Sequence, residues 1–224
     1  MAKLYIICGH GAGDPGACGN GFKEAERVRA LAARIQKFGG NHVVIGDQSR
    51  NWYSENLISK LKISKDWKFL ELHMDSFTDA SAKGGHVIIR KGYKPDEYDQ
   101  SLANVMKQFF PGRSSLIVER DDLANPNRAA AAGYNYRLME CGFITNKTDV
   151  NTFNNRMDEI AKAILYAFNI VPGSKGSDTS ETVPECVTEL AKMVIQGVYG
   201  NGAARKENIY KAVQNEVDRL MKKR

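Results

Sequence analysis

With 224 residues, of which 42% are hydrophobic and 26% charged, the chain can bury one good core and add a small second module. No apolar run approaches the roughly 18 residues of a membrane span, so the expectation is no membrane insertion. The formal charge of +6 suits an anionic partner such as nucleic acid, a membrane surface or a bacterial wall. Its basic residues are scattered rather than striped with aromatics, which argues against nucleic acid.

Leu4–Cys8 reads as an apolar strand that opens at Gly9-His10 into a loop carrying Gly11, Gly13, Gly16, Gly19 and Gly21. From Glu24 to Phe38 an amphipathic helix follows, stopped by Gly39-Gly40, with Val28, Leu31, Ala32, Ile35 and Phe38 on its apolar stripe. Glu24 lies four residues before Val28 and therefore on that buried stripe, where a carboxylate is costly unless a cation or several donors meet it. His10 emerges where the strand ends, so the two are read as ligands of one zinc ion. The ordinary alternatives are a first-turn glutamate that complements the helix dipole and a histidine satisfied by neighbours. Gly11-Ala12-Gly13-Asp14-Pro15-Gly16 also has the spacing of a dinucleotide loop, but Asp14 adds negative charge, Pro15 lacks an N–H, and the helix starts too late.

His42–Gly46 reads as a short strand, Trp52–Leu61 as a helix, and Lys68–Met74 and Gly85–Lys91 as strands. Glu97–Phe110 is a helix with Tyr98, Leu102, Val105, Met106 and Phe109 inward. Ser115–Glu119 is a strand for a sheet edge, and Asn135–Cys141 is a strand after the small-residue segment Arg128–Gly133. Phe153–Phe168 closes the series as a helix. This alternation predicts an α/β fold, a mostly parallel twisted sheet flanked by helices, with its site beyond the strand ends. His73 ends one such strand, and Phe69, Glu71 and His73 share a face of it. Two histidines and a carboxylate form a catalytic zinc set that leaves a position for water. Glu71 is either an acceptor for a ligating imidazole or a salt-bridge partner, and Asp75 is a second candidate for orienting a ligand. Glu140, at the end of an apolar strand, is either a structural cap of the next loop or the general base that takes a proton from water and hands it to the leaving amine. His42 and His86 begin strands away from the expected site edge and are read as structural.

Cys8, Cys18, Cys141 and Cys186 form no CxxC pair; Cys8 and Cys18 rank below His10 and Glu24 as ligands. The first residues lead straight into a strand without an export signal, so the expectation is a protein made in the cytoplasm that reaches any outside target after release.

These blocks resemble a family. Gly9-His10-Gly11, Asp14-Pro15-Gly16-Ala17, Gly19-Asn20-Gly21, Glu24, then Leu72-His73-Met74-Asp75-Ser76, Gly84-Gly85, and Met139-Glu140-Cys141-Gly142-Phe143-Ile144 with Asn146 and Asp149 are similar to the zinc-dependent N-acetylmuramoyl-L-alanine amidases of the amidase-3 type, found in autolysins and phage endolysins. Asp75 stands where the family commonly shows Asn, and Cys8 where an aspartate often precedes Gly-His. The resemblance covers about residues 3–169. It implies zinc held by His10, Glu24 and His73, Glu140 as catalytic acid/base, and hydrolysis of the amide joining the lactyl group of muramic acid to L-alanine in bacterial peptidoglycan. The export argument favours an endolysin.

The predicted organisation is a zinc amidase domain over 1–170, a flexible linker over 171–184 rich in Gly, Ser, Thr and Pro, and a small all-α module over 185–224. Gly197-Val198-Tyr199-Gly200-Asn201-Gly202-Ala203-Ala204-Arg205 is similar to the short wall-binding repeat of some phage lysozymes, which implies wall contacts by Tyr199 and Arg205. A helical hairpin that merely packs or dimerises is the plainer reading of that segment. Two other functions share parts of this pattern: another zinc wall peptidase cutting stem peptides or cross-links, and a non-catalytic wall-binding protein.

Overall fold

The computed structural model describes residues 3–173. The chain divides into two units, Met1–Gly176 and Ser177–Arg224. The predicted helical module, Tyr199 and Arg205 lie outside the described residues, as does most of the predicted linker.

Six strands form one mixed sheet. β1 (Leu4–Cys8) is buried along its whole length. It pairs in parallel with β4 (Val43–Ile45) and with β5 (Lys68–Asp75). β5 pairs in parallel with β8 (Asn135–Phe143). β6 (His86–Arg90) is antiparallel to β8 and carries β7 (Ile117–Arg120) beside it, giving the order β4-β1-β5-β8-β6-β7. A small hairpin, β2 (Cys18–Gly19) and β3 (Phe22–Lys23), sits in the glycine loop and was not foreseen.

Strand alternation gives the sheet two buried faces. Leu4, Ile6, Cys8, Leu70, Leu72, Met74 and Met139 face a core shared with Val28, Leu31 and Ile35 of α1 (Glu24–Gly39), Leu102 and Met106 of α2 (Glu97–Phe109), and the last two helices. Tyr5, Ile7, Phe69, Tyr136, Leu138 and Ile88 face a second cluster with Trp52, Ile58 and Ala129 of α3 (Ala124–Ala131). The C-terminal ends of β1, β5 and β8 therefore share one edge, and the smaller cluster leaves that edge open.

Four expectations change. Trp52–Leu61 is a series of turns ending in a 3₁₀ segment, Ile58–Lys60. The Asn51 side chain accepts the N–H groups of Tyr53 and Ser54, and Asn56 is left-handed at φ 51°, so no helix passes through. Residues within 128–133 belong largely to α3. The last predicted helix is two, α4 (Lys147–Asn155), capped by the Asn146 side chain on Thr148 and Asp149 N–H, and α5 (Met157–Ala167), with Arg156 between them at φ −117°, ψ 21°. Finally, because β6 runs antiparallel, its first residue lies at the open edge: His86 is opposite Glu140 rather than remote from it. It is buried with Nδ1 unpartnered among the described residues, and burial pushes its pKa down to about 4.

Two buried charged groups fasten β8. Arg137, 1% exposed, donates from Nε to Asp99 (2.8 Å) and from Nη2 to Asp96 (2.9 Å) at the start of α2. Asp149 Oδ2 accepts the N–H groups of Gly84 (2.8 Å) and Phe143 (2.9 Å), tying the loop before β6 to the end of β8. At Gly142, φ +74° and the Asp149 carboxylate 2.9 Å from the position of a Cβ leave room only for glycine. Asp149→Ala strands two buried N–H groups and is expected to lower stability by about 2 kcal/mol, read from the urea midpoint at unchanged m-value.

Candidate metal centre

The loop after β1 is bent back by a non-glycine residue in the left-handed region, His10 at φ 59°. Arg29 of α1 holds it there, donating to the carbonyls of Gly9 (3.1 Å) and His10 (3.0 Å). The His10 ring then faces Glu24, the first residue of α1, with Nε2 3.1 Å from Oε2. From the neighbouring strand His73 Nδ1 approaches the other oxygen, Oε1, at 2.8 Å. Backbone N–H groups of Ala17 (2.9 Å) and Met74 (3.0 Å) complete the carboxylate's partners. The ligand atoms of His10, Glu24 and His73 all lie within 4.8 Å of one another.

Each imidazole also has a carboxylate on its far nitrogen. Asp14 Oδ2 lies 2.8 Å from His10 Nδ1, and Glu71 Oε1 lies 3.0 Å from His73 Nε2. Glu71 is buried and takes further bonds from Asn125 and Tyr136. The electrostatics follow. Burial favours the neutral His73 ring, yet Glu24 and Glu71 together hold its pKa well above the usual histidine value. Hydrogen bonding to Glu24 likewise raises His10 against a smaller desolvation effect. Burial would lift the Glu24 carboxyl, and the two histidines more than reverse that, keeping it far below the ordinary range. Three carboxylates thus surround two imidazoles, in a site built to hold positive charge at its centre.

A divalent cation fits that arrangement. It would take the place of the contacts between the two rings and Glu24, with His10 and His73 each backed by an outer carboxylate, the usual support of a ligating histidine. Two nitrogens and one oxygen are a donor set suited to zinc. The loop is shaped around them: a Cβ on Gly16, at φ +67°, would lie 2.6 Å from His10 Cδ2 and 2.8 Å from Glu24 Oε2.

Glu140 is the register partner of His73 on β8, one strand spacing away on the same face. Its Oε2 is closed off from water and has no hydrogen-bond partner among the described residues. Burial, with the negative charges of Asp75 and Glu24 nearby, pushes its carboxyl up to about 7 against the pull of His73 and Arg113. Asp75, considered a candidate for orienting a ligand, is instead paired with Arg113 and accepts the Ser76 N–H. Cys8 is buried on the helix side and Cys18 is exposed; neither joins the cluster. A cavity of about 280 Å³ borders the histidines, walled by Trp52, Tyr53, Leu123, Pro126 and Leu138.

Asp14, Asn125 and Tyr136 had not been singled out for the site. Asp14 was legible in part, since Asp-Pro-Gly predicts an Asx turn and Asp14 Oδ1 does accept the Gly16 N–H at 2.9 Å. Asn125 and Tyr136 meet Glu71 from 54 and 65 residues away, which no local pattern signals.

Comparison with known proteins shows which family and fold the chain shares. Residues 4–169 match the N-acetylmuramoyl-L-alanine amidase family, and residues 188–221 match the CW_7 repeat. A probable autolysin, PH, of Staphylococcus aureus is 33% identical over 189 residues, 76% of this chain; the chain spans 39% of that protein's length. Among solved structures, the CwlD amidase of Clostridioides difficile, determined with the GerS lipoprotein, has a TM-score of 0.61 at 19% identity, covering 75% of this chain and 96% of its own. The catalytic domain of the CD27L endolysin, which targets Clostridia difficile, has a TM-score of 0.57 at 18% identity, covering 76% and 98%. These two likenesses establish the α/β fold.

Proposed function

This chain belongs to the N-acetylmuramoyl-L-alanine amidase family, and from that premise we propose that it is a zinc-dependent peptidoglycan amidase that cleaves between the lactyl group of N-acetylmuramic acid and L-alanine. The observation that carries the reading is the convergence of His10, Glu24 and His73 within 4.8 Å, with Glu140 beside them. His10, Glu24 and His73 would hold zinc, which when bound supplies Lewis acidity to polarise the lactyl carbonyl and acidify a water molecule. Asp14 and Glu71 fix the two rings by accepting from their outer nitrogens. Glu140 takes one proton from the attacking water and returns it to the amine nitrogen of L-alanine as the C–N bond breaks. A carboxyl lifted by burial suits both halves of that transfer.

The second unit would bind the wall through Tyr199 and Arg205. The match of residues 188–221 to the CW_7 repeat supports this role. Residues 171–184 would act as a tether, raising the catalytic unit's effective concentration at its substrate. We read the whole as an endolysin made in the host cytoplasm and acting on the wall after release.

Digestion of purified peptidoglycan tests the reaction. New N-terminal alanine should accumulate without new reducing sugar, stop on chelation and resume with zinc. Reducing ends without alanine amines would identify a glycosidase. New amines on other residues would identify a stem-peptide or cross-link peptidase. Pelleting with walls but releasing nothing would leave a binding protein.

A further inference from the structure

Glu71 sits at the floor of the site, buried, and a carboxylate there is expensive unless fully partnered. Its partners come from three directions. His73 Nε2 lies 3.0 Å from Oε1. Asn125 Nδ2, at the start of α3, lies 3.0 Å from each oxygen. The Tyr136 hydroxyl, on β8, donates to Oε2. Together these donors meet both oxygens of the buried carboxylate.

The Asn125 amide is oriented without ambiguity. A carboxylate only accepts, so Nδ2 must face Glu71, and Arg128 only donates, its Nη1 meeting Asn125 Oδ1 at 3.0 Å. The same Arg128 nitrogen donates to the Tyr53 carbonyl (2.6 Å), and Tyr53 lines the cavity beside the histidines. A continuous run of hydrogen bonds thus passes from the cavity wall through α3 to the imidazole of His73.

We propose that Asn125 and Tyr136 are positioning residues for the metal centre: they immobilise Glu71, which fixes the tautomer and plane of His73, so that Nδ1 is presented toward Glu24. Neither belongs to the ligand cluster of His10, Glu24 and His73. The inference rests on the zinc reading above, and the test keeps the two apart. Zinc dissociation constants of the full chain are measured by competition with a chromophoric chelator, alongside melting temperatures of the metal-free proteins. Tyr136→Phe and Asn125→Leu should each weaken zinc binding by about tenfold or more, the range seen when outer partners of metal-ligating histidines are removed. Tyr134→Phe is the control. It removes a tyrosine hydroxyl bond in the same apolar cluster, to the Leu61 carbonyl at 2.8 Å, without touching Glu71, and should bind zinc as the parent does.

Unchanged zinc affinity in Tyr136→Phe, even with a lowered melting temperature, would overturn the proposal by reducing the clamp to ordinary packing. An equal loss in Tyr134→Phe would overturn it too, since general loosening would then explain both. If Asn125→Leu does not fold, Tyr136→Phe, which keeps its ring packed, carries the test alone. A parent protein that binds no zinc removes the zinc reading and this inference together. A parent that binds tightly beside variants that match it removes the inference only.

Discussion

Glu140→Gln is expected to retain zinc and to release N-terminal alanine from peptidoglycan about a hundred- to ten-thousand-fold more slowly than the parent, the range for losing a general acid–base group. The substitution is nearly isosteric, and burial already pushes the Glu140 carboxyl up to about 7, toward the neutral form. Burial of a neutral amide in that place costs less than burial of a carboxylate. Folding should therefore be preserved, and the thermal midpoint equal to or above the parent's. Since no hydrogen bond joins the Glu140 side chain to His10, Glu24 or His73, zinc content after dialysis should not change. Loss of activity with full zinc would place the defect in proton transfer. Turnover within a factor of two of the parent would remove Glu140 from the mechanism. The other carboxylates on this face, Asp75 paired with Arg113 and Glu71 held by Asn125 and Tyr136, are each engaged by their own partners and are poorly placed to substitute.

How much of this was legible in the chain depends on distance along it. His10 and Glu24 are 14 residues apart and announced by local signals: glycines after a strand, and a carboxylate on an apolar stripe. The strands that carry His73 and Glu140 were readable because both faces of the sheet are covered, which makes them apolar runs. The direction of β6 was not readable. A strand's residues do not encode whether its neighbour runs with it or against it, and this alone moved His86 from a supposed distant position to one facing Glu140. The helix expected over 52–61 failed for a local reason. Trp52, Leu57, Ile58 and Leu61 have helical spacing, but side-chain capping at Asn51 and the left-handed turn at Asn56 outweigh it. α3 was hidden by the opposite circumstance: its start has no side-chain cap and it contains Pro126, so nothing but small residues marked it.

Arg137 shows the same limit in energetic terms and gives the second large expected effect. An arginine within the apolar strand NYRLMEC has no local explanation; its partners, Asp96 and Asp99, are 41 and 38 residues away. Arg137→Met should lower the unfolding free energy by about 3–5 kcal/mol, because it leaves the Asp99 carboxylate buried with no cation beside it. Burial already lifts the Asp99 carboxyl above its ordinary value even with Arg137 in contact. Adding Asp99→Asn removes the stranded charge while leaving an acceptor for the Asp96 N–H, which now bonds Asp99 Oδ2 at 2.9 Å, and should recover much of the loss. Both tryptophans of the chain, Trp52 and Trp67, lie in the first unit, so urea unfolding followed by their fluorescence reports this unit. An unchanged midpoint in Arg137→Met would show that the N-terminus of α2 alone suffices to hold the two aspartates. Arg137 lies on the helix side of the sheet and Glu140 on the open side, so the folded fraction of the variant should cleave at the parent's rate. An equal loss of activity per folded molecule would instead mean that the Arg137 anchor also sets the position of Glu140 on the opposite face of the strand.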